Sequence, residues 1–364
     1  MRRRLRQRGL ITKHNKSGNM RIKSSRLGPG AFLTGALLLS GCGTLPATAV
    51  AARPSPSYRA PTTAMTLITE PQDGFVPWQQ ALAQAKTGVD VNEYLLTDRT
   101  YVHDLIRLAA TGIPVHVILD GRPYEDSAAV SQEQAAFTGT KVQLHWAPAR
   151  FEGAYAFDHA KYLVINPGTP HALAIFGSAN GTYSAFAGFN AEDDIETTEP
   201  AITTALSEVF QADWTNHPAG SVPRQTLVLS PGSQFAFNTL LTTNKPVAVM
   251  TEELGSDSDA YHALETAGPL ARVLLPYPTH ETVHEQDVIG SLLVNGVQVR
   301  FLRQPYVHAK LIVTAKQTFV GSQNLSFTSM QNNREVGLIT GNPTVHAEAL
   351  AWFNGLWAQA QPAS

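Results

Sequence analysis

Two stretches of this 364-residue chain carry the same chemically useful side chains in the same order. His159-Ala160-Lys161 is followed by Gly177-Ser178-Ala179-Asn180 and then by Asn190-Ala191-Glu192. His308-Ala309-Lys310 is followed by Gly321-Ser322-Gln323-Asn324 and then by Asn333-Arg334-Glu335. Each copy supplies an imidazole, an ammonium, an amide and a carboxylate. A histidine can act as nucleophile or proton donor near neutral pH. A lysine can neutralise the non-bridging oxygens of a phosphodiester without a metal ion. Two copies offer one nucleophile, one general acid and two charge clamps.

The surrounding elements repeat as well. Leu227-Val228-Leu229-Ser230-Pro231 echoes Leu67-Ile68-Thr69-Glu70-Pro71 at an offset of 160. Residues 247–254 echo 89–96, and 297–302 echo 142–147. The offset is 149 at the histidines, 144 at Gly177 and Gly321, and 143 at Asn190 and Asn333. It is still 143 at Trp214 and Trp357. A shrinking offset means shorter loops around preserved elements. In the first copy the pattern predicts strands over 67–70, 89–96, 113–119, 141–146, 161–165 and 172–176, and helices over 77–86, 99–110 and 202–214. Apolar strands alternating with helices predict two related α/β halves with mixed, largely parallel sheets. The halves would face each other across a pseudo-twofold axis, with the active site at the seam.

Charge is distributed unevenly. Residues 1–41 hold ten Lys or Arg and no Asp or Glu, which leaves 17 basic against 29 acidic residues in the remainder, a formal charge of −12. A protein that grips nucleic acid by its phosphates normally shows a basic face. The bulk charge opposes a nucleic-acid partner, and no protein partner is predicted. The basic start reads as a signal peptide over 1–41: Arg21, Lys23 and Arg26 precede the short apolar run 31–39, which is too short to span a bilayer. Met20 would open a signal of more ordinary length. The run ends at Leu39-Ser40-Gly41-Cys42, which looks like a bacterial lipobox, and Cys42 is the only cysteine. Lipidation of Cys42 would place the protein in the cell envelope, anchored at the outer membrane or the periplasmic face. Residues 42–65 are rich in Pro, Ala and Thr and read as a tether. The two halves are expected over 66–218 and 219–364.

The paired motifs, with Tyr306 before His308 and Phe210-x-x-Asp213-Trp214, resemble the phospholipase D superfamily over residues 66–360. One H-x-K is a weak signal. Two copies, each followed by GSxN and NxE at nearly equal spacing, are specific. The resemblance implies a two-step reaction through a phosphohistidine, with His159 as nucleophile and His308 as general acid. Lys161, Lys310, Asn180 and Asn324 would hold the phosphoryl oxygens, with Ser178 and Ser322 at the substrate. Glu192 and Glu335 would each orient an imidazole. The family usually has an aspartate five residues after the lysine; Asn166 and Ala315 stand there, at a position usually taken as structural.

The resulting expectation is a membrane-anchored phosphodiesterase that transfers the phosphatidyl group of phospholipids to water or an alcohol, with no cofactor. The alternatives are a secreted nuclease or other phosphodiesterase of the same fold, and a catalytically silent phosphate-binding lipoprotein. His280-Glu281-Thr282-Val283-His284 matches a zinc-protease signature. It follows a Pro-rich turn and has no third ligand at a familiar spacing, so no metal site is expected. The aromatic residues Tyr155, Phe157, Tyr183, Phe186 and Phe189 flank the first motif, with core packing as the default reading.

Overall fold

The computed structural model describes residues 64–363, apart from 125 and 279–282. The expected signal peptide, Cys42 and the tether as far as residue 63 lie outside the described residues. The described residues belong to one compact unit. Among them, no helix is long and apolar enough to cross a membrane.

The first half contributes β1 (Met65–Glu70), β2 (Val89–Glu93), β3 (Val115–Leu119), β4 (Gln143–Trp146), β5 (Tyr162–Ile165), β6 (Leu173–Gly177) and β7 (Asn190–Thr197). The second contributes β8 (Val228–Ser230), β9 (Val247–Met250), β10 (Ala271–Pro276), β11 (Gln298–Leu302), β12 (Tyr306–Val307), β13 (Leu311–Val313), β14 (Thr318–Gly321), β15 (Glu335–Thr340) and β16 (Gln361–Pro362). One sheet runs β1-β7-β6-β5-β2-β3-β4, and the other runs β16-β11-β10-β9-β13-β14-β15-β8. The exception is β12, which leaves its own half and pairs with β7 of the other sheet.

Both sheets are mixed, but antiparallel pairs are the majority, against the expectation of largely parallel sheets. Only β2-β3-β4 and β9-β10-β11 run parallel within each sheet. The reason is loop length. The motif strand β5 returns as β6 within a few residues, and β13 returns as β14, so each pair is an antiparallel hairpin. A parallel crossover needs a dozen or more residues.

Local rules account for the helices that flank the sheets. Asp98 caps the helix Arg99–Ala110 by accepting the N–H groups of Thr100 and Tyr101. That helix buries Tyr101, Leu105, Leu108 and Ala109, one apolar stripe at helical spacing. The helix expected over 77–86 is shorter, Val76–Leu82. A helix at Ser127–Phe137 was not expected from the pattern.

The two sheets share a central core. Tyr162 and Phe176 of the first sheet and Leu311 and Val320 of the second meet Phe210 and Phe353 from the helices Pro200–Trp214 and Pro343–Gln359. The outer faces are covered separately, by Trp78, Tyr101 and Leu105 on one side and Phe237, Tyr261 and Leu264 on the other.

Candidate active site

The seam is built by backbone pairing between the halves. The segment leading to His308 lies along β7: Tyr306 N–H donates to the Phe189 carbonyl at 2.8 Å, and His308 N–H donates to the Ala191 carbonyl at 3.1 Å. The segment leading to His159 lies along the start of β15 in the same way: Arg334 N–H donates to the Phe157 carbonyl at 2.8 Å, and His159 N–H donates to the Arg334 carbonyl at 2.9 Å. Each histidine is therefore held beside the carboxylate of the other half. His159 Nδ1 lies 2.9 Å from Glu335 Oε2, and His308 Nδ1 lies 2.6 Å from Glu192 Oε2. With Nδ1–H donated to the carboxylate, Nε2 of each ring is the atom free for chemistry.

Each carboxylate is fixed in turn. Ser178 Oγ and Asn190 Nδ2 donate to Glu192 at 2.7 and 2.9 Å. Ser322 Oγ, Ser329 Oγ and Asn333 Nδ2 donate to Glu335 at 2.6, 2.6 and 2.9 Å. Ser178 and Ser322, expected at the substrate, are fully buried, and their hydroxyls are donated to these carboxylates. The Gly before Ser is required by crowding. A Cβ on Gly177 would collide with the Asp193 carbonyl, and one on Gly321 would lie 2.6 Å from Gly337 Cα.

The lysines curl beside the histidines of their own motifs. Lys161 Nζ and Lys310 Nζ each donate to the carbonyl two residues back, His159 and His308, at 2.6 Å. Asn180 and Asn324 are buried, and the side-chain oxygen of each has no partner among the described residues. Their amides keep hydrogen-bonding capacity for a ligand. Asn166 stands apart from this group. Its Oδ1 accepts the N–H groups of Lys86 and Thr87 at 2.7 and 3.0 Å, and its backbone is left-handed at φ 52°. It ties down the chain leaving the helix Val76–Leu82, a structural role a short amide fills. Ala315 lies in the tight turn between β13 and β14.

The site's ionisation is set by burial and by close charges. Burial pushes the His159 imidazole down to about 4, against the pull of Glu335. Burial also lowers the Lys161 ammonium to about 8, with Glu335 opposing and Lys310 adding to the effect. For Glu335, burial alone would raise the carboxyl, but His159 and Lys161 outweigh it and hold the group below the usual range.

Two residues that the motifs did not flag complete the site. Tyr94 follows β2, and its ring stands 4.8 Å from the His159 ring and 5.1 Å from Lys161 Nζ. Glu252 follows β9. Its Oε2 lies 3.0 Å from Lys310 Nζ and 3.4 Å from His308 Nε2, and its Oε1 accepts the Tyr306 hydroxyl at 3.1 Å. The repeat contained the signal that finds them, since 89–96 maps onto 247–254 and sets Tyr94 opposite Glu252. The structure bears out that register: Leu96 bridges to Gly181 just as Leu254 bridges to Leu325.

The aromatic residues near the first motif divide. Phe186 packs in the core against Phe75 and Trp78. Tyr155, Tyr183 and Phe189 are 74%, 65% and 52% exposed, contrary to a core role. His280 lies outside the described residues, and His284 is the second residue of the helix Val283–Val294. Deeper in the seam, Arg334 Nε donates to Asp213 Oδ2 at 2.7 Å, which joins the β15 end to the helix Pro200–Trp214.

The family model described as "Cardiolipin synthase, PLD-like domain" matches residues 79–214 and 243–357. Among solved structures, the chain is similar to a phosphatidylserine synthase of Haemophilus influenzae, with a TM-score of 0.61 and 11% identity over 82% of this chain and 87% of that one. It is also similar to a polyphosphate kinase of Porphyromonas gingivalis, with a TM-score of 0.58 and 12% identity over 80% of this chain; it spans half the length of that protein. A phospholipase D family member of Salmonella typhimurium aligns with 38% of this chain at 16% identity and a TM-score of 0.35. No curated protein sequence matches the chain.

Proposed function

The chain belongs to the phospholipase D superfamily, and we propose that it is a phosphodiesterase acting on the phosphatidyl group of phospholipids, held at a membrane by a lipid on Cys42. The observation that carries the reading is the crossed pair of imidazole–carboxylate contacts, His159 with Glu335 and His308 with Glu192. Each half supplies the histidine that the other half orients.

The two rings suit different roles. His159 is neutral at physiological pH because burial holds its proton affinity down, so its Nε2 lone pair is free for attack on phosphorus. His308 faces a carboxylate at each nitrogen, Glu192 at Nδ1 and Glu252 at Nε2. Two carboxylates around one ring suit the proton donor that the leaving alcohol needs. In the first step the His159 Nε2–phosphorus bond forms and the phosphorus–oxygen bond to the head-group alcohol breaks. His308 gives its Nε2 proton to the departing oxygen. In the second step water, or an acceptor alcohol, loses its proton to His308 and attacks phosphorus, and the phosphorus–nitrogen bond breaks. Lys161, Lys310 and the amides of Asn180 and Asn324 hold the phosphoryl oxygens, where charge develops. No step needs a metal.

Two features favour a phospholipid over a nucleic acid. The chain beyond residue 41 carries a formal charge of −12. Large aromatic side chains stand exposed beside the motif loops: Tyr183 and Phe327 follow the two GSxN turns, and Phe189 and Tyr306 flank the β7–β12 pairing. Aromatic rings of this kind are favoured at a lipid–water boundary.

Quench into alkaline detergent during turnover of a phospholipid labelled at phosphorus tests the reaction. Label is expected on His159, acid-labile and alkali-stable, and absent from His159→Asn. Turnover by His159→Asn with no trapped intermediate would overturn the two-histidine scheme, whereas label on His308 would only reverse the roles. In the same preparation Cys42→Ser is expected to leave the membrane fraction or to stay unprocessed. Unchanged partition and processing would remove the anchor.

A further inference from the structure

The two motif copies supply the same histidine, lysine, asparagine and glutamate, but what lies beside each lysine differs. Lys161 faces the ring of Tyr94, while Lys310 faces the carboxylate of Glu252 at the corresponding position. We propose that Glu252 selects substrates whose leaving alcohol carries an ammonium group, so that the site takes phosphodiesters with a cationic head group in preference to anionic ones. The inference rests on the phosphodiesterase reading above and on His308 as the proton donor.

Before any histidine is protonated, the two ammonium groups Lys161 and Lys310 are outnumbered by the carboxylates around them, Glu192, Glu335, Glu252 and Glu253. Glu192 and Glu335 are turned to the Nδ1 side of the imidazoles and are spent on them. Glu252 is different. It lies against Lys310 Nζ, which holds a phosphoryl oxygen, and His308 Nε2, which meets the leaving oxygen, and its side chain is 21% exposed. An anionic diester entering there meets an anion.

Three events could relieve that repulsion. Glu252 could take a proton, but His308 and Lys310 outweigh the effect of burial and hold its carboxyl far below the usual range. Glu252 could swing away, but its other oxygen is held by the Tyr306 hydroxyl, and Tyr306 is anchored by β12 to β7. The third possibility is that the substrate brings its own cation. The leaving oxygen must lie at His308 Nε2 to receive the proton, and Glu252 Oε2 is 3.4 Å from that nitrogen. An ammonium two carbons beyond the leaving oxygen therefore falls within reach of the carboxylate. The half-exposed ring of Tyr306 stands on the same side and offers an aromatic face to a cation. Ethanolamine and choline esters have this shape, whereas glycerol esters lack the cation.

The test separates binding from turnover. Glycerophosphoethanolamine and glycerophosphoglycerol are soluble diesters that differ in the head-group charge. Their affinities are measured by calorimetry on His159→Asn protein, with and without Glu252→Gln. Mixed vesicles of phosphatidylethanolamine and phosphatidylglycerol then give the competitive ratio of kcat/KM for wild type, Glu252→Gln and Glu252→Asp. The ammonium ester is expected to be favoured by roughly tenfold or more in both assays, as for a close charge pair. Glu252→Gln should bring the ratio near unity, and Glu252→Asp, which keeps the charge, should retain part of it. The proposal is overturned if Glu252→Gln changes both substrates by the same factor. An equal gain on both would make Glu252 an occluding group instead. If neither lipid is turned over but the soluble esters are still discriminated through Glu252, the phospholipase reading fails and the assignment of Glu252 stands.

Discussion

The two imidazoles are alike in sequence and unlike in their neighbours. His159 has the Tyr94 ring and Lys161 beside it, and His308 has Glu252. This difference predicts a bell-shaped dependence of kcat/KM on pH, a measure that reports the free enzyme. Below about 4 His159 gains a proton and loses its lone pair, so the acid limb falls there. Above about 8 Lys161 loses its proton and the charge clamp weakens, so the alkaline limb falls there. Glu335→Gln removes the group that pulls His159 upward, so the acid limb should move lower. The maximal rate should drop roughly 10²- to 10⁴-fold, as when a triad carboxylate is neutralised. Lys161→Arg, which does not titrate in this range, should lose the part of the alkaline fall that Lys161 contributes. A limb near 4 that stays put in Glu335→Gln would mean another group controls it. The motif residues were legible in the sequence because their order repeats. The crossed pairing was not, because nothing in a linear repeat says whether a histidine meets the carboxylate of its own copy or of the other. Glu252 escaped notice for another reason: it lies outside the motifs, at a point where the two copies differ.

At the scale of elements, the strand hardest to foresee was β7. Asn190–Thr197 reads NAEDDIET and carries four acidic residues, all of them buried. Propensity and periodicity both argue against a buried strand there. Tertiary partners override them: Lys310 N–H donates to Asp193 Oδ1 at 2.9 Å, and Ala179 N–H donates to Asp194 Oδ1 at 3.3 Å. Burial pushes Asp193 up to about 7, with the Lys310 N–H pulling the other way. The helix Arg99–Ala110, by contrast, matched its expected bounds, since its cap, its apolar stripe and its terminal Gly112 are all local signals. The end of β6 shows what the site demands of an element. Gly177 lies against β7 so closely that a Cβ would strike the backbone at Asp193 and Asp194. Gly177→Ala must part β6 from β7 and shift Ser178 off Glu192. The expected loss is about 1–3 kcal/mol of unfolding free energy, as for an overpacked core, together with a fall in kcat larger than the stability loss explains. Denaturant titration and initial rates on the same preparation check it. A variant with normal stability and normal rate would show that the strands tolerate the side chain.

At the scale of the whole molecule, neither half is a complete active site. The expected boundary between residues 218 and 219 separates His159 from Glu335 and His308 from Glu192. It also cuts the shared core, in which Phe176 and Phe210 of the first half meet Val320 and Phe353 of the second, and it breaks the buried pair of Arg334 with Asp213. A buried charge left without its partner is strongly destabilising, by about 3–5 kcal/mol. Residues 64–218 and 219–364 produced as separate chains should therefore each be inactive and prone to aggregate through the exposed core. Produced together, they should associate and recover turnover, because β12 on β7 and the Arg334–Asp158 bridge rebuild both histidine–carboxylate contacts. The measurement is co-purification through a tag on one half, followed by an assay of the eluate. One outcome would contradict the need for two unlike halves. If the first half alone formed an active dimer, Glu192 would be standing in for Glu335 beside His159 of the second copy, and Glu252 with its charge asymmetry would be dispensable. The structure argues against that result. The first half holds Tyr94 where the second holds Glu252, so a dimer of first halves has no carboxylate at either Nε2. Such a dimer would lack the ring poised to protonate a leaving alcohol, and it should cleave only esters whose leaving group departs without a proton.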